Sequence, residues 1–217
     1  MIEILYEDKA IIVVVKPPGM PSQKDPSGDE DVYTVTSLYL AAKGEVVALG
    51  LVQRLDRPVG GLMVMSKNQE ANRSLTQQVT QRAIDKYYLG LVDGESKEAD
   101  HLEHWLQKVR GNRGVVSRKK TSGSKLAILD YRRLKLYEVE GGMRSLLEIK
   151  LHTGRHHQIR AQMAHVKLPL VGDTKYNPRY QEAKGWHEIG LFAYRLEFRH
   201  PINGKCMSFE QWPEMFQ

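Results

Sequence analysis

The sequence predicts an α+β fold built on a mixed, mainly antiparallel central sheet that is flanked by helices and loops. Short apolar, often β-branched runs recur along the chain and are separated by Gly- and Pro-containing turns, which is typical of strands. Helical periodicity occurs in fewer places, so the strands come in runs instead of alternating strictly with helices. A chain of 217 residues, 41% of them hydrophobic, can bury a sizeable core as one large domain or two small ones.

Eight strands are predicted from these runs. The second is nearly all β-branched, as expected of a buried strand, and Pro17 ends it because proline cannot donate to a β-ladder. The segment from His101 to Lys125 is charged and has few apolar anchors, so we expect a basic loop at Arg110–Lys125. The predicted strands are Ile4–Tyr6, Ala10–Val15, Leu62–Met65, Lys86–Val92, Ala127–Glu138, Ser145–His152, Leu191–Phe198 and Lys205–Glu210.

Helical spacing first occurs in the segment Val35–Lys43. Thr34 or Thr36 is its predicted N-cap, and Gly44 fits its C-terminus. The spacing of apolar residues by three and four predicts an amphipathic helix, whose buried face is expected to consist of Val35, Leu38, Tyr39 and Ala42.

Two further helices are predicted. One begins at a capping box, with Ser66 at the N-cap and Gln69 at the third helical position, and runs to about Arg82. The other follows Gly154, where apolar residues have helical spacing and Pro169 then breaks the pattern. The expected buried residues of these two helices are Ala71, Leu75 and Val79 in the first, and Ile159, Met163 and Val166 in the second.

The composition indicates which cellular compartment and which class of binding partner to expect. The formal charge of +6 suits a polyanionic partner, although it also serves solubility alone. Cys206 is the single cysteine, so no disulfide can form within the chain, and a reducing compartment is expected. The N-terminus lacks the pattern of a secretory signal, and no apolar run approaches the about 18 residues of a membrane span. We therefore expect a cytoplasmic protein without a membrane partner.

The segment from Leu51 to Lys67 contains the most informative residues. It places one carboxylate, Asp56, between Arg54 and Arg57, after the apolar stretch Val46–Leu51 and before a Pro and two Gly residues. On spacing alone, Asp56 fits a structural salt bridge, a turn-capping residue or a catalytic acid held ionised by arginine.

Three motifs in this sequence resemble those of the RluA-type pseudouridine synthases. Arg54-Leu55-Asp56-Arg57-Pro58-Val59-Gly60-Gly61-Leu62 is similar to the active-site signature of that family. Lys86-Tyr87-Tyr88-Leu89-Gly90-Leu91-Val92 resembles its Lys-x-Tyr strand, and Thr153-Gly154-Arg155-His156-His157-Gln158-Ile159-Arg160 resembles its Thr-Gly-Arg-x-His-Gln-Ile-Arg segment. The motifs occur in the family's order. The resemblance implies a pseudouridine synthase fold with a central RNA-binding cleft, as one catalytic domain over residues 1–217 without an N-terminal S4-like module.

The resemblance also implies the roles of three side chains. Asp56 would supply the catalytic carboxylate, and Arg160 would be its cationic partner, with Arg155 as second choice. Tyr88 would stack on the flipped base and take the proton from C5. Tyr88 keeps the family spacing from Lys86, and alternation along the strand would point the Tyr87 ring the opposite way. The resemblance implies that the carboxylate, the guanidinium and the phenol ring meet in one pocket.

RNA contacts are predicted for a second group of basic residues. At least one of the two arginines beside Asp56 would contact phosphate or help extrude the uridine, although either could instead pin the loop. The predicted RNA-binding residues are Arg54, Arg57, Lys86, Arg155 and His157.

The sequence departs from the family pattern at three places. Gln53 stands where the family usually has His, Pro58-Val59-Gly60 replaces x-Thr-Ser, and Gln162 replaces a frequent His. No presumed catalytic group is lost. The departures concern RNA contacts and substrate specificity.

No cofactor and no metal are predicted. The isomerisation needs neither, and the four histidines near the third motif, His152, His156, His157 and His165, do not have the spacing of an established zinc site. The expected partner is RNA, an rRNA or tRNA stem-loop, and a monomer is expected. The alternatives are a catalytically silent RNA-binding or RNA-folding protein on the same scaffold, and an unrelated hydrolase that uses Asp56.

Overall fold

The computed structural model describes residues 2–45, 48–183, 185 and 187–216. Its contacts divide the chain into two units, the first comprising residues 1–85 and 193–217 and the second residues 86–192. The described residues form three α-helices, α1 Val32–Ala42, α2 Gln69–Thr80 and α3 Gln158–His165. They form eleven strands, β1 Glu3–Glu7, β2 Ile11–Lys16, β3 Gly50–Leu51, β4 Gly60–Ser66, β5 Asp85–Asp93, β6 Ala99–Val109, β7 Arg113–Ser117, β8 Lys125–Val139, β9 Gly142–Leu151, β10 Leu191–Arg199 and β11 Cys206–Glu210.

The first unit is built on strands in the order β1-β2-β4-β10, with β3 added to β4 and β11 added to β10. Alternate residues of β2 and β4 enter two different cores, because successive strand residues point to opposite faces. On one face Val13 and Val64 pack with α2, and on the other Val14 and Met63 pack with α1. Both strands are therefore covered on both faces, which explains their nearly continuous apolar sequences.

Helix α1 corrects two predictions. It begins at Val32, and its N-cap is Asp31, whose carboxylate accepts from the Thr34 backbone N–H at 3.0 Å; neither Thr34 nor Thr36 is the cap. The buried residues are Val32, Thr36 and Leu40, whereas Leu38 is 65% exposed. Thr36 can be buried because its hydroxyl donates to the Val32 carbonyl at 2.7 Å. Apolar residues surround most of this helix, so spacing alone selected the wrong face. Gly44 follows the helix with φ +77°, as predicted.

Helix α2 begins later than predicted. Ser66 is the last residue of β4, paired with Ile11, and is not a helix cap. The N-cap is Asn68, whose side chain accepts from the Ala71 backbone N–H at 2.9 Å. The pairing of β2 with β4 extends through Ser66 and displaces the start of the helix. The predicted buried residues Ala71 and Leu75 are confirmed.

The second unit contains an antiparallel series in the order β5-β9-β8-β6-β7. Strands β6 and β7 were not predicted, and the prediction of a loop over Arg110–Lys125 is wrong for the part that forms β7. In β6 only Leu102 and Leu106 are buried, four residues apart among charged neighbours. Their strand conformation depends on pairing with β8, a contact remote in sequence.

The fold class is confirmed. The strand pairings described within each unit are antiparallel, and Ile159 and Met163 lie buried in α3, as predicted. Of the predicted apolar stretch Val46–Leu51, residues 46 and 47 lie outside the described residues, and its end forms β3. None of the described helices is long and apolar enough to cross a membrane.

Candidate active site

Asp56 lies in the first unit, in the loop between β3 and β4. The residue before it is fixed by Ser22, whose hydroxyl accepts from the Leu55 backbone N–H at 3.1 Å and donates to the Leu55 carbonyl at 2.9 Å. The carbonyl of Asp56 itself accepts from the Val59 backbone N–H at 3.0 Å, which closes a turn. The backbone that carries the carboxylate is therefore held on both sides.

Lys16 fixes the same loop from the end of β2. Its side chain is fully buried, and its ammonium donates to the carbonyls of Pro17 at 3.0 Å, Met20 at 2.6 Å and Arg57 at 3.0 Å. Burial lowers the pKa of Lys16 to about 7, while the negative charge of Asp56 acts in the opposite direction. Lys16 is not among the site residues predicted from the sequence. The available signal was a lysine at the end of a β-branched run, immediately before Pro17.

Arg57 contributes to the same framework. Its Nε donates to the Gly19 carbonyl at 3.0 Å, and its guanidinium pairs with Asp29 and approaches Asp25 at 3.7 Å. These contacts agree with the interpretation that one arginine pins the loop. Arg54 is exposed. An RNA contact by either arginine stays a prediction.

The backbone at Gly61 lies close to the backbone of β10. Its φ is +127°, and a Cβ at this position would lie 2.4 Å from the carbonyl oxygen of Ala193. A side chain is therefore excluded both by conformation and by space.

Tyr88 lies in the second unit on β5 and is 7% exposed. It pairs with Ile149 of β9, while Tyr87 pairs with Lys150, whose ammonium lies 5.3 Å from the Tyr87 ring centroid. Neighbouring strand residues point to opposite faces, so the two rings face opposite ways, as predicted. Lys86 is partly buried on the same strand, and burial lowers its pKa.

The third motif is a hydrogen-bonded turn that leads into α3. The Gln158 side-chain oxygen accepts from the Thr153 hydroxyl at 2.8 Å and the Arg155 backbone N–H at 3.0 Å, and its amide group donates to the Ile128 carbonyl at 3.1 Å. The Nε of Arg155 donates to the Leu126 carbonyl at 3.0 Å. Thr153, Arg155 and Gln158 thus attach the turn to β8.

Arg160 is held by Asp173 in a buried bidentate ion pair, with Nε–Oδ2 and Nη2–Oδ1 distances of 2.9 and 2.8 Å. Asp173 is fully buried and also accepts from the backbone N–H groups of Lys175 and Tyr176 at 2.9 and 3.2 Å. Sequence reasoning missed Asp173, although an acid directly after the apolar run Leu168–Gly172 was an available signal. The predicted partnership of Arg160 with Asp56 stays a prediction.

The three motifs lie within the part of this chain that matches a known protein family. A family model described as RNA pseudouridylate synthase matches residues 10–165. This chain belongs to the RNA pseudouridylate synthase family. The resemblance to RluA-type synthases is thereby confirmed, and membership makes the chain an isomerase that acts on RNA.

Curated relatives of the family align over nearly the whole chain. An uncharacterized RNA pseudouridine synthase of Aquifex aeolicus is 34% identical over 100% of this chain and 71% of its own length. Ribosomal large subunit pseudouridine synthase D of Pseudomonas aeruginosa is 32% identical over 99% of this chain and 69% of its own length. The corresponding Zymomonas mobilis protein is 30% identical, over 96% of this chain and 68% of its own length.

Solved structures agree on the fold. Human RNA Pseudouridylate Synthase Domain Containing 1 superposes with a TM-score of 0.79 at 20% identity, covering 100% of this chain and 85% of that protein. Human RNA Pseudouridylate Synthase Domain Containing 4 gives 0.78 at 19% identity, covering 99% of this chain and 90% of that protein.

His157, which belongs to the third motif, has a left-handed backbone conformation. It has the left-handed φ of 52°, its Nδ1 lies 2.9 Å from the Tyr176 hydroxyl, and its ring stacks on His156 at 3.8 Å. Burial and the nearby Arg160 lower the pKa of His157 to about 2. The ring is therefore neutral near pH 7, and any contact it makes with RNA would use hydrogen bonding or stacking instead of charge.

Gln162, one of the departures from the family pattern, is a structural residue. Its side chain is fully buried, and its amide donates to the carbonyls of Leu102 and Ala127, each at 3.2 Å. It ties α3 to β6 and β8, so this departure affects internal packing.

Proposed function

We propose that this chain converts uridine to pseudouridine in large-subunit ribosomal RNA, with Asp56 as the catalytic carboxylate. The observation that carries the proposal is the placement of Asp56, inside the family signature, on a loop whose backbone is fixed by Ser22 and Lys16. The relatives named ribosomal large subunit pseudouridine synthase D support ribosomal RNA as the substrate class. A transfer RNA stem-loop is the other substrate to test.

The reaction sets clear requirements for the side chains. The bond between uridine N1 and ribose C1′ breaks, the base turns over, and a C5–C1′ bond forms. C5 then gives up its proton to a base, for which Tyr88 is the proposed group, and N1 gains a proton from solvent. A carboxylate at a fixed position serves this reaction either by attacking C1′ or by removing the 2′ proton. A rigid backbone around Asp56 supports both routes, because small errors in the position of a reacting group lower the rate strongly.

Tyr88 and Arg160 complete the proposed catalytic set. An aromatic ring that is largely buried offers a stacking surface to a base taken out of an RNA stem, a step that requires about a few kcal/mol. A guanidinium fixed by Asp173 offers a permanent positive charge that does not depend on pH. The proposal further includes action of the two units as one catalytic domain, as a cytoplasmic monomer, without cofactor or metal.

The test is Asp56→Asn, which keeps the size of the side chain and removes the charge. Pseudouridine is mapped in ribosomal and transfer RNA from a deletion strain complemented with each variant. We expect the wild-type gene to restore pseudouridine in large-subunit RNA and Asp56→Asn to lower the rate on the order of a thousandfold or more, as for loss of an essential reacting group. The matched control is Asp100→Asn, an aspartate paired with the exposed Lys97, which should keep full activity.

Three results would contradict the proposal. Full turnover by Asp56→Asn would remove the carboxylate from the reaction. Restoration of pseudouridine only in transfer RNA would reject the ribosomal substrate. RNA binding without any turnover by the wild-type protein would favour the catalytically silent alternative.

A further inference from the structure

The positive charge of this chain is concentrated in one region. Residues 104–129 contain seven of the 32 basic residues and none of the 26 acidic residues. The other 25 basic and 26 acidic residues leave a net charge of −1, so the charge of +7 in this region accounts for the net charge of +6 of the chain. We call it the basic hairpin region. Its basic residues are Lys108, Arg110, Arg113, Arg118, Lys119, Lys120 and Lys125.

The structure places these basic side chains on the surface of the second unit. The region comprises most of β6, all of β7 and the start of β8, and all seven basic residues are exposed. Across the described part of the chain, no carboxylate lies within ion-pair distance of any of them. Basic residues elsewhere often have acidic partners, for example Lys43 with Glu7 and Arg132 with Glu148. An unneutralised basic surface is the electrostatic pattern that binds a polyanion.

The surface is also fixed in place. The ammonium of Lys120 lies 5.5 Å from the Trp105 ring centroid, a cation–π contact that orients one charge. The turn between β6 and β7 is attached to the segment that follows α3, because the Lys175 ammonium donates to the Asn112 carbonyl at 3.1 Å and the Gly114 backbone N–H donates to the Tyr176 hydroxyl at 2.6 Å.

The segment that holds this turn also contacts the third motif. Tyr176 contacts His157, and its backbone N–H donates to Asp173, which holds Arg160. A polymer bound along the basic hairpin region would therefore be held in a defined position relative to Arg160, within the same unit.

Edge protection is the competing explanation. In the second unit's strand series β7 has one partner, β6, and charged residues on such a strand discourage pairing between molecules. That explanation accounts for charges on β7 itself. It does not account for Arg118, Lys119 and Lys120, which follow β7, or for the absence of any acidic residue across 26 positions.

We infer that the basic hairpin region is a docking surface for the phosphate backbone of structured RNA beside the target uridine. The inference rests on the proposed function for the identity of the RNA. In this proposal the basic hairpin region contributes to the affinity for RNA, and other residues carry out the chemical step.

The experiment compares two triple variants that change net charge equally. The hairpin variant is Arg118→Gln, Lys119→Gln and Lys120→Gln. The control variant is Lys9→Gln, Arg73→Gln and Lys205→Gln, three exposed basic residues of the first unit. The probe is a synthetic RNA hairpin with a uridine-containing loop, and its Kd is measured across a series of KCl concentrations.

We expect the hairpin variant to bind about 10- to 100-fold more weakly at moderate salt, and the slope of log K against log[KCl] to become shallower by about 2 to 3. The control variant should keep the wild-type slope. At saturating RNA, the hairpin variant should form pseudouridine at the wild-type rate.

Equal weakening by both variants would overturn the inference, because net charge alone would then explain binding. An unchanged Kd for the hairpin variant would also overturn it, because the three removed charges would then contribute no affinity for RNA. If the triple variant fails to fold, Lys119→Gln alone should reduce the slope by about 1, and an unchanged slope would overturn the inference. Failure of the proposed function would look different, as normal salt slopes without pseudouridine formation.

Discussion

The Asp56 loop of the first unit and the Arg160 segment of the second unit are stabilised by different kinds of contact. Beside Asp56, Lys16 and Ser22 form hydrogen bonds with backbone carbonyls and an N–H of neighbouring residues. At Arg160, Asp173 binds the guanidinium with both carboxylate oxygens. One region orients a loop, and the other orients a guanidinium.

Under the proposed function, the two kinds of contact suit different tasks. The backbone contacts position the Asp56 loop for the reaction, and the ion pair with Asp173 positions a guanidinium that supplies positive charge. Substitutions in either region should therefore lower stability and turnover together, with the larger loss of stability in the second region.

Asp173→Asn should have the largest effect on stability. It removes the carboxylate charge that Asp173 places against the buried Arg160 guanidinium, and we expect the free energy of unfolding to fall by about 3 to 5 kcal/mol, measured by urea denaturation. Asp100→Asn, whose Lys97 partner is 73% exposed, should change it by less than about 1 kcal/mol. A double variant, Arg160→Met with Asp173→Leu, should recover stability but not turnover. If Asp173→Asn lowers the free energy of unfolding no more than Asp100→Asn does, the ion pair between Asp173 and Arg160 does not stabilise the fold.

Lys16→Met should have an intermediate effect. The apolar side chain fills a similar volume but leaves three carbonyls without their donor, at a cost of about 2 kcal/mol after the buried charge is relieved. Because the Asp56 loop loses its support, turnover should fall about 100-fold while the Kd for RNA stays unchanged. Lys9→Met, an exposed lysine of the first unit, is the control. Wild-type turnover in Lys16→Met would show that Ser22 suffices to fix the loop.

The smallest effect concerns pH and His157. Its pKa is about 2 in the folded chain against 6.5 for an unperturbed histidine, so below pH 6.5 the unfolded state takes up a proton that the folded state does not. This contribution to stability is complete above pH 6.5 and falls as the pH is lowered. From about pH 7.5 to about pH 5.5 the wild type should lose about 1 kcal/mol more than His157→Asn, a residue that tolerates the left-handed conformation. Parallel pH dependence of both proteins would contradict this assignment.

Part of the fold follows from local sequence. The runs 11–15 of β2 and 62–65 of β4 are apolar at every position, so their strand character and burial were readable without a partner. The buried face of α1 was not readable, because most sides of that helix are apolar and only packing against Val14 and Met63 selects Val32 and Leu40. The start of α2 was displaced by strand pairing at Ser66.

The sequence by itself determined the fold class, the family and the motifs that carry Asp56, Tyr88 and Arg160, because these are encoded in short contiguous stretches. The tertiary structure decided what holds those residues. Asp173 binds Arg160 from 13 positions away, and Lys16 binds the Arg57 carbonyl from 41 positions away. Strand β6 likewise exists through its pairing with β8. Such partners are joined only when the chain folds, since hydrogen bonds and ion pairs depend on distance in space and leave no periodic trace along the sequence.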